Sequence, residues 1–141
     1  MTTHEYLSQY RVLSNRITYH TERLRRLRLE ADAVSSRWGE SISSHTAEAP
    51  YIRILENIES ARAELAAEND LLDRLQEQIE QTVELLPGEN LRLVLLYRYL
   101  AGKSYAEIGN LLFSSKASVS RWLAQALDEL PLPEDCISIC S

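Results

Sequence analysis

Apolar residues recur through the first part of the chain at steps that alternate four and three: Tyr6, Tyr10, Leu13, Ile17, His20, Leu24, Leu27, Ala31, Val34 and Trp38. Such spacing keeps a single stripe on one side of an α-helix and forms the seam of a coiled coil. A second run repeats it through Tyr51, Ile54, Ile58, Ala61, Leu65, Glu68, Leu72, Leu75, Ile79, Thr82 and Leu86, with Leu55 expected to broaden the stripe at its start. Between the runs lies a polar stretch from Gly39 to Pro50, too short to return the second helix parallel to the first but long enough to reverse direction. The pattern predicts an antiparallel helical hairpin over residues 1–86 with a loop at 39–50. At about 1.5 Å per residue its arms would be roughly 50 Å long.

Charge sharpens the pairing. The first arm is rich in arginine (Arg23, Arg25, Arg26, Arg28) and the second in acids (Glu56, Glu59, Glu64, Glu68, Asp70, Asp73), so unlike arms attract. The same seams serve a pairing within one chain or a homodimer, and the pattern leaves that choice open. His20 and Glu68 interrupt the apolar stripe, which suggests a partly wet or register-setting layer.

Pro87-Gly88 breaks the second helix, and a third is expected from Glu89 or Asn90 through Leu100, with Leu91, Val94, Leu95, Tyr99 and Leu100 as its apolar face. Gly102 ends it and Ser104 caps the next helix, which reaches Leu112. That helix would pack through Ala106, Ile108, Gly109 and Leu112. A last helical pattern runs from Ser115 to Leu130, with Val119, Trp122, Ala126, Leu127 and Leu130 inward and Lys116, Ala117, Ser120, Arg121 and Ala124 outward. Two short helices joined by a tight turn have the geometry of a helix-turn-helix. The fold class expected is all-α: a long antiparallel two-helix coiled-coil hairpin followed by a three-helix helix-turn-helix domain at 87–130 and a polar tail at 131–141.

Residues 90 to 130 resemble the promoter-reading region 4 of sigma-70 type factors and the small sigma-like regulators of Gram-positive phages and prophages. The resemblance rests on Arg98-Tyr99-Leu100, Gly102, Ser104-Tyr105, Glu107-Ile108, Gly109, Leu112, Ser115, Val119, Ala126-Leu127 and Leu130. It implies recognition of a promoter-like double-stranded DNA, often beside RNA polymerase, through Lys116, Ala117, Ser118, Ser120 and Arg121. Ser115 at the helix start, together with Lys103 and Ser104, completes the candidate DNA-binding set. The turn departs from the family, with Phe113 and Ser114 where a glycine and an apolar residue are usual. A bulky side chain favours negative φ, so Phe113 is expected there. Arg98 and Glu107 are expected to form a salt bridge between helices.

Composition bounds the alternatives. The net charge of −6 argues against indiscriminate coating of nucleic acid, yet residues 88 to 127 hold five bases and only Glu89 and Glu107 as acids. No apolar run approaches the roughly 20 residues of a membrane span, and no secretory signal pattern opens the chain, so a cytoplasmic protein with no membrane partner is expected. Cys136 and Cys140 are expected as thiols, and neither a metal site nor a cofactor is implied. His4, His20 and His45 are scattered, and no catalytic set emerges, so the chain reads as a non-enzyme. Two other functions fit helix-turn-helix plus coiled coil: a phage DNA-packaging subunit of the small terminase kind, and a helical adaptor that grips a protein instead of DNA.

Overall fold

The computed structural model of the chain describes residues 1–40 and 45–139, with side chains described for 1–37 and 49–139. Helices make up the secondary structure, and no strand occurs among the described residues. In chain order they are α1 (Thr3–Glu40), α2 (His45–Val83), α3 (Glu89–Leu95) continuing into a π-helical turn at Leu96–Leu100, α4 (Tyr105–Leu112) and α5 (Lys116–Glu129). No helix among the described residues is long and apolar enough to cross a membrane.

The two long helices pack together along the predicted seams. Tyr6, Leu13, Leu24 and Ala31 of α1 are buried, as are Ile54, Ala61, Leu65, Leu75, Ile79 and Thr82 of α2 and Leu86 just beyond its end. Trp38 lies outside the described side chains. Leu55 does not widen the stripe; it is 43% exposed, because the seam turns past it toward Ile54 and Ile58. Both helices also extend into the expected 39–50 loop, since α1 continues to Glu40 and α2 begins at His45 with Pro50 inside its second turn. A proline so near the start removes only one main-chain bond, which the long helix that follows tolerates.

By its contacts the chain forms two compact units, residues 15–70 and residues 1–14 with 71–141. In the first, Leu24, Ala61 and Leu65 form a core flanked by Ile17, Leu27 and Ile58. Beside it His20 Nδ1 meets Glu68 Oε1 at 2.5 Å, so the two polar seam residues satisfy one another. The pairing of 20 with 68, and of 24 with 61 and 65, runs antiparallel.

In the second unit, the start of α1 and the end of α2 also run antiparallel. Tyr6 donates to Gln78 Oε1 at 2.7 Å and Tyr10 to Gln76 Oε1 at 3.4 Å. Here α1 buries a wider face than its seam, with Leu7 and Gln9 enclosed as well. Burial pushes the Tyr6 hydroxyl up to about 12; hydrogen bonding with the Thr82 side chain opposes the shift and nearby Cys136 adds to it.

In the expected polar tail, residues 135–139 are fastened to the long helices. Gln78 donates to the Asp135 carbonyl at 2.9 Å and accepts from the Ile137 N–H at 3.0 Å. Gln9 repeats the arrangement two residues on, donating to the Ile137 carbonyl at 2.9 Å and accepting from the Ile139 N–H at 3.0 Å. Ile139 is buried. Two side-chain amides thus act as the neighbouring strand would in a sheet, satisfying alternate main-chain groups. Cys136 is a free thiol that donates to the Pro133 carbonyl, and Cys140 lies outside the described residues.

Candidate nucleic-acid interface

The short helices are built from local rules. Gly88 precedes α3, and Arg92 Nη1 donates to the Leu86 carbonyl at 2.6 Å, closing the break after α2. Leu91, Val94, Leu95 and Tyr99 are buried, as the sequence indicates, and α3 packs on α5. Burial of Tyr99 holds its hydroxyl above the ordinary range, helped by nearby Tyr105 and opposed by Arg98. The π turn closes with Ala101 N–H on the Leu96 carbonyl at 3.0 Å, and Gly102 takes φ +70, a left-handed conformation suited to glycine.

Helix α4 starts with a capping box. Ser104 Oγ accepts from the Glu107 N–H at 3.2 Å while Glu107 Oε1 accepts from the Ser104 N–H at 3.3 Å. The Ser104 main-chain N–H first, and then the Ser104 hydroxyl, hold the Glu107 carboxyl below the usual carboxylate range; Lys103, whose Nζ stands 3.9 Å away, adds to the effect. The expected pairing of Arg98 with Glu107 is replaced: Arg98 donates to the Lys103 carbonyl at 3.1 Å and stacks over the Tyr105 ring at 4.8 Å. With Glu107 occupied in the cap, the planar guanidinium takes the aromatic face.

The turn between α4 and α5 departs from the expectation of negative φ. Phe113 has φ 54 and ψ 46, and its side chain is 96% exposed. It sits where a helix ends in a left-handed residue followed by a six-to-one bond, here Ser114 N–H to the Gly109 carbonyl at 2.8 Å. Closing the turn outweighs the steric cost of the aromatic residue, roughly 1–2 kcal/mol. Gly109 is needed as well, because a β-carbon there would fall 2.6 Å from the Ser114 carbonyl oxygen. Ile108 and Gly109 are buried, but Ala106 is exposed and does not join that face.

On α5, Val119, Leu123, Ala126 and the following Leu130 are buried, with Trp122 and Leu127 half-buried. The inward face is therefore centred on Leu123, which the sequence pattern did not single out. Lys116, Ala117, Ser120, Arg121 and Ala124 are exposed, as expected of the outward set. Ser115 caps the helix, accepting from the Ser118 N–H at 3.1 Å and donating to Ser118 Oγ at 3.1 Å. Arg121 Nη2 in turn donates to Ser118 Oγ at 3.2 Å. The candidate residues thus form two groups: Lys103 and Ser104 at the start of α4, and a linked Ser115–Ser118–Arg121 set flanked by Lys116, Ala117 and Ser120 on α5. The second group is an exposed helix start with two cations and small side chains, able to donate hydrogen bonds to phosphates or base edges. Among the described residues no cluster of three metal-ligating side chains occurs.

The described part of the chain is all-helical, with two long helices followed by three short ones. No protein-family model matches the chain, and neither a curated protein nor a solved structure matches it.

Proposed function

We propose that the protein binds double-stranded DNA in a sequence-dependent way and regulates transcription, in the manner of phage or prophage regulators. In this reading α3, α4 and α5 form a sigma region 4-like helix-turn-helix, and α5 lies in the major groove. The observation that carries it is the α4–α5 corner: Gly109 admits the Ser114 carbonyl, and the helix that follows presents Lys116, Ala117, Ser120 and Arg121 to solvent. The mechanism is binding without chemistry. Ser115 and Ser118 shape the surface and hold Arg121, while Arg121 and Lys116 donate to guanine acceptors or phosphates.

Two cations on one helix make a modest electrostatic anchor, so a second contact completes the affinity. We assign that role to RNA polymerase or to a second copy of the chain, reached through the long helices. Selection from random duplexes, followed by anisotropy titration, tests the reading. Lys116→Ala and Arg121→Ala should each weaken the selected site by about 1–3 kcal/mol. Failure to enrich a motif, or unchanged binding by both variants, overturns it.

A further inference from the structure

A cleft of about 500 Å³ opens beside the turn that precedes α4, with Leu123 and Leu127 of α5 on one wall, and its polar lining includes His4, Ser8, Arg11, Arg98, Tyr99 and Tyr105. Two of these are arginines from elements far apart in sequence. Arg11 Nη2 lies against Gly102, where a β-carbon would stand 2.2 Å from it, and donates to the Leu100 carbonyl at 3.4 Å. Arg98 Nη1 donates to the Lys103 carbonyl at 3.1 Å. Both cations therefore rest on neutral carbonyls of one short turn, and each of these bonds uses one of the five guanidinium N–H groups. None of the described residues lining the cleft carries a carboxylate. Around the rim, His4 Nδ1 lies 2.7 Å from the Tyr99 hydroxyl, and Ser8 Oγ lies 3.5 Å from His4 Nε2.

A concave site with two guanidinium groups, a hydroxyl, aromatic walls and no carboxylate suits an anion with several acceptor oxygens arranged for forked donors. We propose that this cleft binds a phosphate group and that Arg11 is its leading cation. Gly102 leads directly into Lys103 and Ser104, so Arg11 brings a cation from α1 to the start of α4. The inference rests on the DNA-binding reading for its main source of phosphate, a phosphodiester of the duplex; a free phosphate or mononucleotide has the same chemistry.

The test uses the full chain with Arg11→Gln, with Arg11→Lys as the charge-keeping variant and Arg62→Gln as a control away from the cleft. Duplex affinity is measured across a salt series, and inorganic phosphate and AMP are titrated separately against the Gly102 and Ser104 amide resonances. If the duplex supplies the phosphate, Arg11→Gln weakens binding severalfold at low salt and lowers the salt slope by about one; Arg11→Lys keeps the slope but not the full affinity of the forked donor, and Arg62→Gln keeps both. If a small phosphate is the ligand, saturable amide shifts occur in the parent chain and vanish in Arg11→Gln while duplex binding is unchanged. Phosphate binding by a chain that binds no duplex would sink the DNA reading and leave the cleft standing. Overturning the cleft requires either an Arg11→Gln variant that behaves as the parent in both titrations, or a parent chain that binds neither duplex nor phosphate.

Discussion

Ser114 reaches Gly109 twice: its N–H donates to the Gly109 carbonyl at 2.8 Å, and its own carbonyl oxygen occupies the space a β-carbon would need. Helix propensity alone favours Gly109→Ala by about 1 kcal/mol. The contact of 2.6 Å is with main chain and cannot swing aside, so the clash should win and destabilise the chain by about 1–3 kcal/mol. Urea denaturation of the two proteins checks this, and an alanine variant as stable as the parent would show that the corner can open.

Phe113 should be replaceable with profit. It holds a left-handed conformation while 96% exposed, so it contributes almost no packing in the isolated chain. Glycine relieves the steric cost but adds freedom to the unfolded chain, and the balance favours Phe113→Gly by roughly 0.5–1 kcal/mol. A higher melting temperature is the expected result, and a lower one would mean the ring makes contacts worth more than the strain.

The fastened C-terminal segment makes a residue-specific prediction for hydrogen exchange. The Ile137 and Ile139 amides should exchange slowly although they lie outside any helix, because each donates to a glutamine oxygen at 3.0 Å. Gln78→Leu should release Ile137, and Gln9→Leu should release Ile139, each lowering stability by about 0.5–1.5 kcal/mol per bond lost. Fast exchange at both amides in the parent chain would contradict the clamp.

Alkali should loosen the same region. The Tyr6 hydroxyl, pushed up to about 12 by burial, stays protonated in the folded chain after an unfolded tyrosine begins to ionise near 10. Its contribution is therefore complete below pH 10 and is lost as pH rises through 12. Spectroscopic titration should show Tyr6, like the buried Tyr99, ionising after the freely exposed tyrosines, with stability falling over that interval, and Tyr6→Phe should remove its own part of the fall. Titration of every tyrosine together near 10 would refute it.

The long helices were readable because a spacing of three and four admits little else, and even the interruptions carried meaning. His20 and Glu68, which interrupt the apolar stripe, satisfy each other across the seam. The last helix was readable in outline, and its outward residues are exposed, but its inward face centres on Leu123 because α3 and α4 both pack on α5. The antiparallel pairing already sets residues 1–14 beside 71–86, but sequence spacing could not show that they share a compact unit with 87–141 as well, since that closeness joins segments remote along the chain. The fastening of residues 135–139 was hidden for another reason: it uses main-chain groups and two glutamines whose side chains would suit a solvent-facing helix position equally well. Arg11 was likewise one arginine among seven in the first 38 residues, and only its position against Gly102 sets it apart.

The Ser118 hydroxyl has one more consequence. By accepting from Arg121 it narrows the rotamer freedom of a long cation before any partner arrives. Ordering such a side chain on binding typically costs about 0.5–1.5 kcal/mol, and part of that loss here falls on folding instead. A surface with few charges gains discrimination this way: an arginine already pointing in one direction rewards a partner whose acceptors match it and gives less to one that would need it to swing.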